Sequence, residues 1–231
     1  MVGFVRIFTA LFVVAFVSGC TELKLSVSKE DADRINNVAV YSSLSNEMNH
    51  IYIGTTVFSN KESLVSVPDW KIPTTTAEMA ANELKKIGVG KRVDILGGID
   101  RGIEVDASNL NSLANKSGYD TLLLIEPDEF VANGFFLNKS YGVYRRSTFG
   151  IKHTCPYALM TITVWDTKTQ RKLLERNGLD FLRSPCDYDS DTPWNDNPSG
   201  MSADELNKLS YLIKSIYSNK IIKILNDSGL K

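Results

Sequence analysis

The chain has 231 residues, 43% of them apolar and 23% charged, a balance that fits a folded globular protein and excludes a disordered one. Its formal charge of −1 argues against a nucleic-acid binder, which carries a basic excess. No Pro- or Gly-rich linker, internal repeat or low-complexity tract divides it, so a single well-formed core is expected.

Residues 1–19 begin with Met1, carry one early cation at Arg6, and continue through an apolar run that ends in Phe16-Val17. That pattern predicts a secretory signal peptide. Its apolar core is about eleven residues long, short of the roughly 20 that span a bilayer as a helix. The tetrad Val17-Ser18-Gly19-Cys20 resembles the lipobox of bacterial lipoproteins, in which the cysteine receives a diacylglyceryl group. The resemblance implies a membrane anchor through acyl chains on Cys20. Thr21 stands where Asp would mark retention at the inner membrane, so it also implies the outer membrane, on its periplasmic side. Residues 21–36, polar and free of aromatics, read as a short tether that reaches on the order of 55 Å if fully extended. The domain proper is expected over 37–231.

Two more cysteines, Cys155 and Cys186, then share an oxidising compartment, where two thiols of one small domain pair. A bridge between them closes about 30 residues and contributes roughly 3 kcal/mol. A rival reading makes Cys155 a nucleophile with His153 as its base.

Along the chain, strands and helices alternate. Val38 to Tyr41 predicts a short buried strand, and Ile51 to Phe58 with Ser63 to Val67 a hairpin around Ser59-Asn60-Lys61. Thr75 and Glu78 have capping-box spacing ahead of an apolar face of Ala77, Ala80, Leu84 and Ile87, and Gly88 is a natural C-terminal stop. A strand over Arg92 to Leu96, a helix over Asn109 to Lys116 and a central strand over Thr121 to Ile125 follow. Tyr157 to Trp165 reads as one strand, Asp166 to Gln170 as a turn, and Lys172 to Phe181 as the return. The last helix starts at a second capping box, Ser202 and Glu205, and buries Leu206, Leu209, Ile213, Ile216 and Tyr217.

The expected fold is therefore α/β (α+β), a mixed β-sheet with about three helices packed on it and a hairpin insertion. Two stretches, "LANKSGYDTLLLIEPDEF" and "ALMTITVWDTKTQRKLLERNGLDF", resemble the periplasmic α/β domains of the curli-secretion lipoprotein CsgG, the penicillin-binding-protein activator LpoB and the N-terminal domain of TolB. Gln170 stands where such turns carry Gly. The resemblance implies a fold more than an activity.

The insertion "FVANGFFLNKSYGVYRRSTFGI" holds the candidate contact residues Tyr141, Tyr144, Arg145, Arg146 and Phe149, since aromatics and Arg anchor interfaces. In "CDYDSDTPWNDNPSG", Asp187, Asp189 and Asp191 have the spacing of early calcium ligands, but Thr192 lies where the loop needs Gly and Pro198 where it needs Glu, so a plain acidic loop is the alternative. Trp194 reads as a lid on the core. His50 and His153, each beside strand-like sequence, read as hydrogen-bonded structural histidines. No nucleophile elbow, paired-histidine zinc motif or phosphate loop is present. Together these features predict a non-catalytic, lipid-anchored envelope protein without a cofactor, which binds another envelope protein. The alternatives are a subunit of an oligomeric secretion or envelope-assembly complex, including a homo-oligomer, a small-ligand binder, and an envelope hydrolase.

Overall fold

The computed structural model describes residues 26–96, 106–128, 130–132, 135–137, 140–177 and 191–231. The expected α/β class holds, with the strands divided between two main sheets rather than gathered in one. The first sheet has five strands in the order β11 (Arg171–Asn177), β10 (Met160–Asp166), β5 (Thr121–Pro127), β1 (Asn37–Ser42) and β4 (Arg92–Ile95). β1 pairs in parallel with β4 and β5, and β10 is antiparallel to both β5 and β11. The second sheet has the order β3 (Lys61–Ser66), β2 (Glu47–Ile53), β8 (Tyr141–Thr148) and β9 (Ile151–Ala158), with β2 and β8 parallel. A small hairpin of β6 (Phe130–Ala132) and β7 (Phe135–Leu137) stands apart.

Four α-helices lie among the described residues: α1 (Lys29–Ala32), α2 (Ile72–Ile87), α3 (Ala107–Lys116) and α4 (Ala203–Asn226). None is long and apolar enough to cross a membrane. The central strands are apolar on both faces because both are covered. Val38 and Val40 of β1 face one way, into a core with Leu84 of α2 and Leu209, Ile213 and Tyr217 of α4. Ala39 and Tyr41 face the other way, onto Leu110 and Ala114 of α3.

Several boundaries differ from the sequence reading. α2 starts three residues before the predicted capping box, because Pro73 in its first turn presets the helical φ and needs no hydrogen-bond acceptor. Lys71, at φ +50, forms the cap. The tether read over 21–36 is packed from residue 26 onward: Val27 is buried, and its N–H donates to the Ser228 carbonyl at 2.7 Å. Asp31, nearly buried, binds Ser28 Oγ at 2.8 Å and the guanidinium groups of Arg34 and Arg171. Residues 97–105 and 178–190, and with them the predicted break at Gly97-Gly98, lie outside the described residues.

The stretch read as one strand over Tyr157 to Trp165 is two strands in different sheets. β9 ends against Tyr141 of the second sheet and β10 begins against Pro127 of the first, with Leu159 between them. Every residue from Tyr157 to Met160 is fully buried, so no polar break marks the change. The turn at Asp166 is as read: its Oδ1 accepts from the backbone N–H groups of Lys168 and Thr169 at 2.9 and 3.0 Å. Gln170 takes the left-handed position at φ +54 that glycine would occupy at lower cost.

Candidate binding site at the far end of the second sheet

The chain enters the second sheet from β1 just before Glu47 and leaves it for β10 just after Ala158. Both links meet the same end of the sheet, so the loop after Ile53 and the β8–β9 turn lie at the other end. Thr55 Oγ1 ties that loop to the Ser147 carbonyl at 3.4 Å. Large apolar side chains stand in solvent here: Phe58 is 96% exposed, Phe149 90% and Ile151 62%.

Phe149 and Gly150 form the turn, with φ of +49 and +83. Positive φ at both positions is the pattern that favours Asn-Gly. A bulky aromatic in this region is strained by roughly 1–2 kcal/mol, and here no burial of the ring offsets the strain.

The other predicted contact residues separate. Tyr141 is fully buried, its ring 6.2 Å from both Trp70 and Tyr217, and its hydroxyl donates to the Ser45 carbonyl at 3.2 Å. Tyr144 is buried in a second core with Ile51, Ile53, Cys155, Tyr157 and Leu159. These two tyrosines are therefore core residues, because the strand alternation turns them onto covered faces. Arg145 and Arg146 are half-buried. Arg145 Nε donates to Thr154 Oγ1 at 2.6 Å, and its guanidinium lies 4.7 Å from the Trp194 ring.

Cys155 is fully buried opposite Tyr144, and His153 is exposed. Cys20, Cys186, Asp187 and Asp189 lie outside the described residues. Asp191 is exposed, and no cluster of His, Cys, Asp or Glu suited to a metal occurs among the described residues.

Trp194 joins groups that are distant in sequence. Its ring stacks on His50 of β2 at 3.9 Å and lies 6.3 Å from Tyr52, and its Nε1–H donates to Asp196 Oδ1 at 2.7 Å. The loop that carries it is built by its own amides. Asn195 Nδ2 donates to the Gly200 carbonyl at 3.0 Å, and Asn195 Oδ1 accepts from Asn197 N–H at 3.0 Å. The capping box at Ser202 and Glu205 then starts α4, with both reciprocal bonds made. Trp194 is thus a lid on the core, as its sequence suggested, half-buried against the main core and laid over His50 and Arg145 of the second sheet as well.

His50 is buried, with the Asn195 carbonyl and its own carbonyl beside the ring, as a structural histidine would be. Its Nε2 is buried and finds no hydrogen-bonding partner of good geometry. Burial, helped by the Arg145 charge, holds its pKa below the ordinary histidine range. The indole N–H, together with Lys152, Arg145 and Lys61, keeps Asp196 below the usual carboxylate range. Between the Trp194 loop and the strands is a cleft of about 640 Å³, open to solvent. Sequence reasoning missed this assembly, since nothing local to His50 or Tyr52 signals a tryptophan that arrives some 140 residues later.

No family model matches the chain, and no curated protein matches it. Among solved structures it is similar to the PelC dodecamer from Paraburkholderia phytofirmans, at 14% identity over 84% of this chain and 87% of that one, with a TM-score of 0.39. A point variant of the same protein gives 15% identity over 89% and 93%, with a TM-score of 0.39. Protein XCC0632 from Xanthomonas campestris, described under the family model DUF330, gives 7% identity over 83% and 81%, with a TM-score of 0.43.

Proposed function

We propose that this is a non-catalytic, lipid-anchored protein of the bacterial envelope, held in the outer membrane through Cys20 on the periplasmic side, which captures another envelope protein with the far end of its second sheet. The observation that carries the reading is Phe149. A turn that would be more stable with Asn or Gly keeps a 90%-exposed aromatic ring at positive φ. Local strain without a folding benefit concentrates where a surface is used. Phe58 and Ile151 at the same end add apolar contact area, and aromatic side chains dominate interface energetics.

The anchor suits this orientation. Only residues 21–25 separate Cys20 from the packed chain, a reach of at most about 22 Å from Cys20 to residue 26. Val27 and α1 lie by the start of β11, at the end of the first sheet opposite the one from which the second sheet departs. A domain held there keeps the Phe149 turn away from the lipid and raises its effective concentration for partners near the membrane.

A photo-crosslinking residue at position 149 in living cells tests this, with the same residue at Tyr211, 74% exposed on α4, as control. A discrete protein adduct from 149 and none from 211 is expected, and an adduct twice the chain mass makes the partner a second copy. Absence of any adduct at 149 sinks the tip as an interface. Palmitate label that persists in Cys20→Ala sinks the anchor.

A further inference from the structure

The cleft beside Trp194 has chemistry that protein capture at the Phe149 turn does not use. Its volume of about 640 Å³ falls within the roughly 300–1,000 Å³ of small-molecule sites. Two aromatic rings line the cleft, Tyr52 and Trp194, tilted 45° to each other. Asn60, Lys61 and Lys152 line it as well, Lys61 directly across the β2–β3 pair from Tyr52. Two carboxylates, Asp196 and Glu62, also line it. Asp196 is engaged by the indole and balanced by Lys152, Arg145 and Lys61 together, so three cations stand against the two carboxylates and leave one net positive charge for an incoming anion.

Trp194 is already positioned for a ligand. The hydrogen bond to Asp196, the stack on His50 and the Arg145 guanidinium fix its ring, so little further freedom is lost when a flat or pyranose-like face packs on it. His50 gives an independent sign of an unfinished site. It lines the cleft, is 4% exposed, and leaves Nε2 without a hydrogen bond. A buried polar atom in that state is costly, and a ligand hydroxyl or a water carried with it can offset the cost.

Aromatic faces receive the C–H face of a sugar ring, while amides and carboxylates around them receive hydroxyls. Two lysines beside such a platform select a sugar that carries an acid. We propose that this cleft binds a saccharide bearing a carboxylate, a uronic-acid type of unit, with its ring against Trp194 and Tyr52 and its carboxylate toward Lys61 and Lys152.

The test titrates the full-length protein in detergent with trigalacturonate while tryptophan fluorescence is read, with maltotriose and citrate in parallel. Trigalacturonate should change the emission at micromolar to millimolar concentration, and Trp194→Phe should remove most of that change because Trp70 is buried in the main core and Trp165 lies on β10 of the first sheet. Lys152→Glu, at an exposed position, should weaken binding by about tenfold or more with far-UV circular dichroism unchanged. No response to trigalacturonate overturns the proposal. So does an equal response to maltotriose, which removes the role of the acid, or to citrate, which leaves an anion site without sugar recognition. Binding that survives both Lys152→Glu and Trp194→Ala places the ligand elsewhere and overturns it too.

Discussion

Tyr141 and Phe149 sit eight residues apart on one strand-like alternation, and the structure gives them opposite energetic roles. Tyr141 is fully buried against Trp70 and Tyr217. A buried tyrosine removes about 200 Å² from water, worth roughly 5 kcal/mol at 25 cal/mol/Å² as an upper bound. Large-to-small aromatic substitutions in cores cost about 3–5 kcal/mol, so Tyr141→Ala should lose that much. Tyr141→Phe loses only the bond to the Ser45 carbonyl, about 1 kcal/mol. Phe149 offers nothing to lose: Phe149→Ala should change stability by no more than about 0.5 kcal/mol. Phe149→Gly should be neutral or stabilising by up to about 1 kcal/mol, since glycine relieves the positive φ but makes the unfolded chain more flexible. Equilibrium urea unfolding of the purified protein, followed by far-UV circular dichroism, reads all four variants. With a slope of about 2 kcal/mol/M, Tyr141→Ala should lower the midpoint by roughly 2 M while both Phe149 variants stay near the parent. An unchanged midpoint in Tyr141→Ala, or a loss above about 2 kcal/mol in Phe149→Ala, would refute this division between core and surface.

Gly142 has no room for a side chain: a Cβ there would stand 2.1 Å from the Asn49 carbonyl oxygen across the β2–β8 pair. Gly142→Ala should therefore destabilise by about 2–3 kcal/mol and expose β2 and β8 amides to hydrogen exchange, and retained protection would count against the close approach. Acid should weaken the fold through His50. Burial and Arg145 lower its pKa, opposed by the Asn195 and His50 carbonyls and by Asp196, whereas the unfolded chain takes up the proton near pH 6.5. Stability should then be full above about pH 6.5 and fall as pH drops toward the lower folded value, and His50→Gln should flatten that slope. Free-thiol counting on the native protein should find neither Cys155 nor Cys186 reactive after Cys20 is acylated, and two reactive thiols would rule out the bridge expected from their compartment.

Elements whose signals are local were readable in advance. The apolar runs Val38 to Tyr41 and Thr121 to Ile125 became the central strands, Ser202 and Glu205 made both capping bonds, and Gly88 closed α2 at φ +78. Each depends on a few neighbouring residues, whose periodicity, caps and turn chemistry act over one or two turns of chain. The two-sheet arrangement was not readable, because the chain from Tyr157 to Met160 is buried on both sides of the change and presents one unbroken apolar signal. The same limit applies to the candidate sites. The pattern that marked Tyr141, Tyr144 and Phe149 as one group of contact residues cannot say which strand faces will be covered. Trp194 on His50 and Arg145 is a meeting of three segments that share no local pattern. Local sequence sets backbone preference, and burial depends on what the rest of the chain lays over each face.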